Sequence, residues 1–157
     1  MKKINFQVHI NLIIAAILLL SILFWETDAI AIDKVNKDSF GVAIKGYDTV
    51  AYFTEGRAVK GKSEFSHSWN EATWHFASAD NRDLFAADPD RYAPQYGGYW
   101  VGYLAKTGKV AGVNPEAWKI VNNKLYLSWD MESAEKFQKN SDELIKKAYK
   151  NWLQLNR

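Results

Sequence analysis

Two histidines, His67 and His75, are the metal-ligand candidates of this 157-residue chain beyond its first thirty-one positions. They lie eight positions apart, and Met131 is the only methionine besides Met1. Imidazole nitrogens and a thioether sulfur are ligands that copper accepts. The chain has no cysteine, which excludes thiol catalysis and thiolate metal sites. The residue types therefore permit a copper ion, but supply few ligands for it.

Patterns typical of catalysis are missing from the sequence. Ser66, His67 and Ser68 are consecutive, and neighbouring residues of a strand point to opposite faces, so they cannot share a proton. There is no Gly-x-Ser-x-Gly elbow and no His-Glu-x-x-His pair. The acidic residues between positions 80 and 90 are explained by helix capping and solvation. We therefore expect a protein that is not an enzyme.

The segment Tyr92–Trp100 combines four aromatic rings, a proline and two adjacent glycines. Such density indicates a tightly built loop, and loops on rigid scaffolds often carry sites. Tyr96, Tyr99 and Trp100 are candidates for the lining of a small-ligand pocket, with phenolic groups that could orient a ligand. The alternative is that the rings fill the core while the hydroxyls hold an irregular backbone.

A hairpin between Glu64 and Ala77 must position the two histidines. A two-residue turn at Asn70-Glu71 pairs Trp69 with Ala72, His67 with Trp74 and Phe65 with Phe76. This register places the large apolar side chains on one face, whereas a one-residue slip would divide them between two faces. His67 then points inward and His75 outward, so one face of the hairpin cannot supply both as ligands.

The remaining pattern predicts further short strands and helices. Thr49–Phe53 is typical of a strand, and Ser78 of the N-cap of a helix over residues 79–87. A second hairpin is expected from residues 118–121 and 124–129 around Asn122-Asn123. No internal repeat is apparent. The predicted class is α+β, a small antiparallel sheet from hairpins with packed helices.

Two C-terminal helices complete the predicted domain, with Asp130 and Ser141 as their N-cap candidates. The second helix carries an apolar stripe between Leu144 and Leu153. The stripe fits docking on the core, with the lysines of this helix in solvent. A helix lying on a membrane surface is the alternative.

The first thirty-one residues have the pattern of an export signal. Lys2 and Lys3 precede an uncharged apolar run over residues 12–25, and Ala29-Ile30-Ala31 offers a small-x-small cleavage site. An uncleaved membrane anchor is the alternative, because residues 6–25 carry no charge. Residues 32–157 are expected to form one domain, in contact with the membrane only through an uncleaved N-terminal segment. A net charge of +2 is far from the basic footprint of a nucleic-acid binder.

A series of short strings runs through the chain in one order from Lys45 to Leu127. The strings are Lys45–Phe53, Phe65–His67, Trp69-Asn70, Ala72–Trp74, Phe76–Ser78, Tyr92–Tyr99, Pro115, Ala117-Trp118, Ile120-Val121 and Leu125–Leu127. Together they resemble the exported YHS-domain proteins of bacteria. That resemblance implies a periplasmic protein, either free or anchored in the inner membrane. It also implies binding of a metal ion, with copper as the favoured ion.

One departure from this resemblance concerns Trp100. Proteins of the family often have cysteine or selenocysteine directly after Gly-Gly-Tyr, and this chain has tryptophan there. A redox role that depended on that residue is lost here. The sequence thus predicts a non-catalytic YHS-like protein that binds a metal ion or a small ligand. The alternative is a structural or protein-interaction domain of the cell envelope without any small ligand.

Overall fold

Two β-hairpins, each followed by a helix, organise the part of the chain that the computed structural model describes, residues 32–156. Within that part, six α-helices accompany two separate two-stranded antiparallel sheets. The predicted α+β class with two C-terminal helices is confirmed. The predicted export signal, and the uncleaved anchor that is its alternative, lie outside the described residues. Between residues 32 and 156, no helix is long and apolar enough to cross a membrane.

The first hairpin belongs to a unit of five elements. In chain order they are a 3-10 turn at Ile44–Gly46, α1 at Ala51–Thr54, β1 at Lys62–Trp69, β2 at Ala72–Phe76 and α2 at Ala79–Ala87. A short helix, α3 at Pro89–Tyr92, leads out of this unit.

The second hairpin belongs to a unit of the same composition. Its elements are a 3-10 turn at Gln95–Gly98, α4 at Val101–Thr107, β3 at Asn114–Val121, β4 at Lys124–Ser128 and α5 at Met131–Lys139. The longest helix within residues 32–156, α6 at Ser141–Leu155, follows it.

The two units repeat one another at a displacement of 52 positions, which the sequence did not reveal. The strands begin at 62 and 72 in the first unit and at 114 and 124 in the second, and the following helices span 79–87 and 131–139. Finer features follow the same displacement. Tyr47 N–H donates to the Ile44 carbonyl at 3.1 Å, and Tyr99 N–H donates to the Tyr96 carbonyl at 3.2 Å. The expectation of no internal repeat was wrong. The sequence does not show the repeat, because few side chains at equivalent positions are alike.

The first hairpin has the predicted turn. Asn70 and Glu71 have φ values of 50° and 63°, and Trp69 pairs with Ala72 and His67 with Trp74. Positive φ at both central residues is what a two-residue hairpin turn of type I′ requires. The third predicted pair, Phe65 with Phe76, is wrong. Phe76 pairs with Lys62, because an irregularity between Lys62 and Ser66 shifts the register.

The predicted strand Thr49–Phe53 is wrong, because Asp48 turns the backbone into α1. The buried Asp48 carboxylate accepts the backbone N–H groups of Val50 at 2.9 Å and Ala51 at 3.2 Å. A side-chain oxygen that takes these otherwise unpaired donors favours the start of a helix. The apolar residues of this segment therefore face the core from a helical turn.

The other predicted elements agree with the structure except at one cap. Asn122-Asn123 forms the turn of the second hairpin, and Ser78 and Asp130 cap α2 and α5. Ser141 is the first residue of α6, whose N-cap is Asn140 without a side-chain bond, so the predicted cap at Ser141 is wrong.

Helix α6 lies against the second unit along part of its predicted stripe. Ala148 is fully buried, and Leu144, Ile145 and Trp152 pack in the same apolar cluster as Phe137. Tyr149 and Leu153, also in the stripe, remain exposed. This arrangement agrees with a helix docked on the core.

Candidate ligand-binding cleft

A cleft of about 320 Å³ opens beside the turn of the first hairpin. The second 3-10 turn and the end of α6 form its other sides. Its lining residues are Lys34, Val35, Trp69, Asn70, Trp74, Asp90, Ala93, Pro94, Gln95, Tyr96, Gly97, Trp152 and Asn156. The cleft therefore lies where the first unit, the start of the second unit and the last helix meet.

Four aromatic rings contribute to the cleft, in two pairs. Trp69 and Trp74 come from the two strands of the first hairpin, with ring centroids 5.9 Å apart. Trp74 is buried, and its indole N–H donates to the Trp69 carbonyl at 3.0 Å. Tyr96 and Trp152 form the other pair, at 6.2 Å. Because strand pairing and burial hold these rings, the aromatic part of the cleft is preorganised.

The second 3-10 turn is shaped by an unusual backbone and by close packing. Tyr96 and Gly97 have φ values of 56° and 63°. A Cβ atom at Gly97 would collide with the Lys34 carbonyl oxygen, so only glycine permits this approach. Asn36 N–H also donates to the Gly97 carbonyl at 2.8 Å. These contacts bring residues 32–43, which we call the lead-in segment, to the edge of the cleft through Lys34 and Val35.

The charged groups of the cleft differ in their partners. The Lys34 ammonium lies 2.6 Å from the Glu71 carboxylate, and this hydrogen bond lowers the pKa of Glu71. Asp90 is exposed and makes no ion pair with any residue between 32 and 156. Lys34 is thus neutralised by its neighbour, whereas the Asp90 carboxylate is available to a ligand.

Tyr96 has a structural role in addition to lining the cleft. Its hydroxyl donates to the Ile145 carbonyl at 3.0 Å, joining the 3-10 turn to α6. Burial raises the pKa of Tyr96. Its phenol therefore stays protonated at neutral pH and remains a hydrogen-bond donor.

Tyr99 and Trp100, the other two predicted pocket residues, do not line this cleft. The Tyr99 hydroxyl donates to the Asp33 carbonyl at 3.1 Å, so it fastens the lead-in segment. Trp100 stacks between Tyr103 and Trp129, with centroid distances of 5.5 and 6.4 Å. It borders a separate cavity of about 40 Å³. In the segment Tyr92–Trp100, Tyr99 and Trp100 thus have structural contacts, whereas Tyr96 also lines the cleft.

The two candidate metal ligands are not brought together. His67 pairs with Trp74 and His75 with Ser66, so they occupy opposite faces of the hairpin. His67 packs edge-on against Phe85 at 6.1 Å, and His75 lies next to Gly46. Among residues 32–156, no three His, Cys, Asp or Glu side chains are placed to hold a metal ion. Any metal bound by either histidine would need ligands from another source.

Several residues of the cleft were not anticipated from the sequence. Trp69 and Trp74 were assigned to the core face, and Trp152 to the docking stripe of α6. Asp90 was treated as a solvated acid of a helix end. The available signal was the position of Trp69 next to a turn, where a side chain can border both core and solvent. Trp152 gave no such signal, because its distance from the hairpin depends on the tertiary fold.

The comparison with protein families places a known domain over the first unit. Residues 50–96 match the family model described as YHS domain. The chain contains a YHS domain. The match begins at Val50 in the first unit and ends at Tyr96 in the cleft, so it includes both hairpin tryptophans. The resemblance expected from the sequence is confirmed for this domain. No curated protein and no solved structure matches the chain.

Proposed function

We propose that this YHS-domain protein is a non-catalytic binding module that holds a small organic molecule in the cleft beside Trp69 and Tyr96. The observation that carries the proposal is the cleft itself, with rigid aromatic sides and a few polar groups at its edge. Small-molecule sites are typically concave, largely preformed and lined by aromatic side chains with a few polar groups. A volume of about 320 Å³ lies at the lower end of the range for such sites.

A metal ion, with copper as the favoured one, is the second candidate. It is supported by the presence of a YHS domain and by the residue types of His67 and His75. Because they lie on opposite faces of the hairpin, each histidine could offer only one ligand to a metal ion on its own face. The small-molecule cleft therefore has the stronger geometric support.

We also propose that the protein acts outside the bacterial cytoplasm, in the periplasm or on the membrane that faces it. Two early lysines, an apolar run and the Ala29-Ile30-Ala31 site support this location.

The proposal can be tested with the full chain kept in solution by a non-ionic detergent. A library of small organic molecules is screened by saturation-transfer NMR, and the hits are repeated on Trp152→Ala and Gln95→Ala. Trp129→Ala is the matched control, since Trp129 is an exposed tryptophan outside the cleft. We expect hits to lose saturation transfer in both cleft variants and keep it in the control. Gln95→Ala guards against a loss of fold in Trp152→Ala.

Absence of any hit, or hits insensitive to both cleft variants, would contradict small-molecule binding at this cleft. The same protein is titrated with Cu(I), Cu(II) and Zn(II), with tryptophan emission as the readout. Saturable quenching that is lost in His67→Ala or His75→Ala would favour the metal instead. If neither a small organic molecule nor a metal ion binds, the result would favour a structural or protein-interaction domain without a small ligand.

A further inference from the structure

We infer that the ligand of the cleft is a small organic cation of the alkylammonium class, held by the Asp90 carboxylate and the surrounding aromatic rings. The inference rests on the proposed small-molecule function of the cleft and adds the chemical class of the ligand. Two half-buried tryptophans, Trp69 and Trp152, and one carboxylate without an ion pair in residues 32–156 are brought together there.

The charge balance of the cleft favours a cation. Among residues 32–156, Lys34 and Asp90 are the two charged residues that line it. Lys34 is held at 2.6 Å by Glu71, which lies outside the lining. An incoming anion would find Lys34 already paired with Glu71 and would also face Asp90. An incoming cation would find Asp90 available and Lys34 already compensated.

The aromatic residues favour the same class of ligand. The face of an indole or phenol ring carries negative charge from its quadrupole and attracts ammonium groups, most strongly for tryptophan. Trp69 and Trp152 are the half-buried tryptophans of the cleft, whereas the Trp74 and Tyr96 rings are buried. A neutral apolar ligand would use these rings without using Asp90. The combination of carboxylate and rings therefore favours organic cations.

Helix capping does not account for Asp90. It lies in the first turn of α3, where an acid is favoured, but Asp88 is the residue whose side chain accepts the Arg91 N–H, at 3.3 Å. Asp90 itself makes no hydrogen bond within residues 32–156 through its side chain. Its carboxylate can therefore be removed without loss of an internal contact.

The test compares choline with 3,3-dimethylbutan-1-ol, a neutral molecule of nearly the same shape. Both are titrated by calorimetry into the full chain in non-ionic detergent. We expect choline to bind about tenfold more tightly, because the carboxylate and the aromatic rings both attract its charge. Asp90→Asn should reduce this preference, because only the aromatic rings would still favour the cation. Asp80→Asn is the control, because Asp80 is also an exposed acid in a first helical turn but lies outside the cleft. It should keep the preference.

The outcomes separate this inference from the function on which it rests. Equal affinity for the two molecules would overturn the cation inference and leave small-molecule binding intact. Loss of the choline preference in Asp80→Asn as well would also overturn it, because the effect would then come from net charge. If neither molecule binds but other library members do, the ligand class is wrong. If no library member binds either, both proposals fail. Equal melting temperatures for Asp90→Asn and the parent would show that the fold is unchanged.

Discussion

The first unit, residues 44–87, and the second, residues 95–139, place different side chains on the same backbone arrangement. Asp48 N–H donates to the Val59 carbonyl at 2.9 Å, and 52 positions later Trp100 N–H donates to the Ala111 carbonyl at 3.1 Å. The Asp48 side chain turns inward, where one buried carboxylate accepts hydrogen bonds from four N–H groups. The Trp100 ring instead stacks against Tyr103 and Trp129. One backbone arrangement can thus be held by a buried polar hub or by an aromatic stack.

The two hairpins also differ in what covers them. Trp69, at the end of β1, borders the cleft, while its equivalent Val121 packs into the apolar cluster that includes α6 residues. Helix α6 has no full-length counterpart after the first unit, where only the four-residue α3 follows α2. The cleft is therefore a consequence of asymmetry. The second unit is covered by a long helix, and the first unit is left partly open at its turn.

The largest difference between the units should appear at Asp48. We expect Asp48→Ala to lower the free energy of unfolding by about 5 kcal/mol, because four N–H groups would lose their acceptor. Trp100→Ala, at the equivalent position, should cost about 2 kcal/mol, since its ring is only half-buried. Urea unfolding of both variants measures the two values. Equal losses would show that the polar hub has no special importance.

A smaller difference in stability is expected between the phenylalanines of α2 and α5. Phe85 and its equivalent Phe137 are both buried, but Phe85 meets four rings and Phe137 meets Tyr126. We expect the free energy of unfolding to fall by about 4 kcal/mol in Phe85→Ala and by about 3 kcal/mol in Phe137→Ala. Thermal unfolding by circular dichroism would compare them. Phe85→Leu serves as a control that keeps most of the volume. A greater loss for Phe137→Ala would reverse this ranking.

The smallest effect concerns the helix caps, which differ in pH dependence. Ser78→Ala should lower the free energy of unfolding by about 1 kcal/mol at both pH 7 and pH 3, because a serine hydroxyl does not titrate between these pH values. Hydrogen bonds from Ser133 lower the pKa of Asp130. Its stabilisation is thus present above the usual aspartate pKa and is lost as the pH falls through the lowered value.

Asp130→Ala should therefore destabilise the protein at pH 7 and lose that effect progressively on acidification. Denaturant unfolding at several pH values would test this expectation. An effect of Asp130→Ala that is constant down to pH 2, or an effect of Ser78→Ala that changes with pH, would contradict the assignment of the two caps.

The local elements could be predicted where side chains act within a few residues. Asn70-Glu71 and Asn122-Asn123 turned the two hairpins as expected, even though glutamate is a poor residue for positive φ. Ser78 and Asp130 capped their helices. Residues 49–53 failed because their conformation is set by Asp48, whose other oxygen is bound by Ala77 and Asn81 from a distant part of the chain. A propensity for strand could not anticipate that long-range contact.

The candidate site was predicted only in part. The inward placement of His67 and the outward placement of His75 followed from the apolar register. Of the three predicted pocket residues, Tyr96 lines the cleft, Trp100 borders a separate cavity, and Tyr99 lines neither of them. The loop containing them passes through left-handed conformations at Tyr96, Gly97 and Gly98, which change the direction of successive side chains. Side chains that are close in sequence therefore point to different parts of the surface.

The sequence by itself determined the hairpins with their turns, two of the helix caps and the kinship with YHS domains. These depend on short strings in which side chain and backbone interact locally. The tertiary structure decided the 52-residue repeat, the role of Asp48 and the cleft. The repeat is invisible in the sequence because packing accepts different side chains on one backbone arrangement. The cleft depends on the approach of α6 and the lead-in segment to the first hairpin. Such contacts between distant segments are set by the packing of the whole domain.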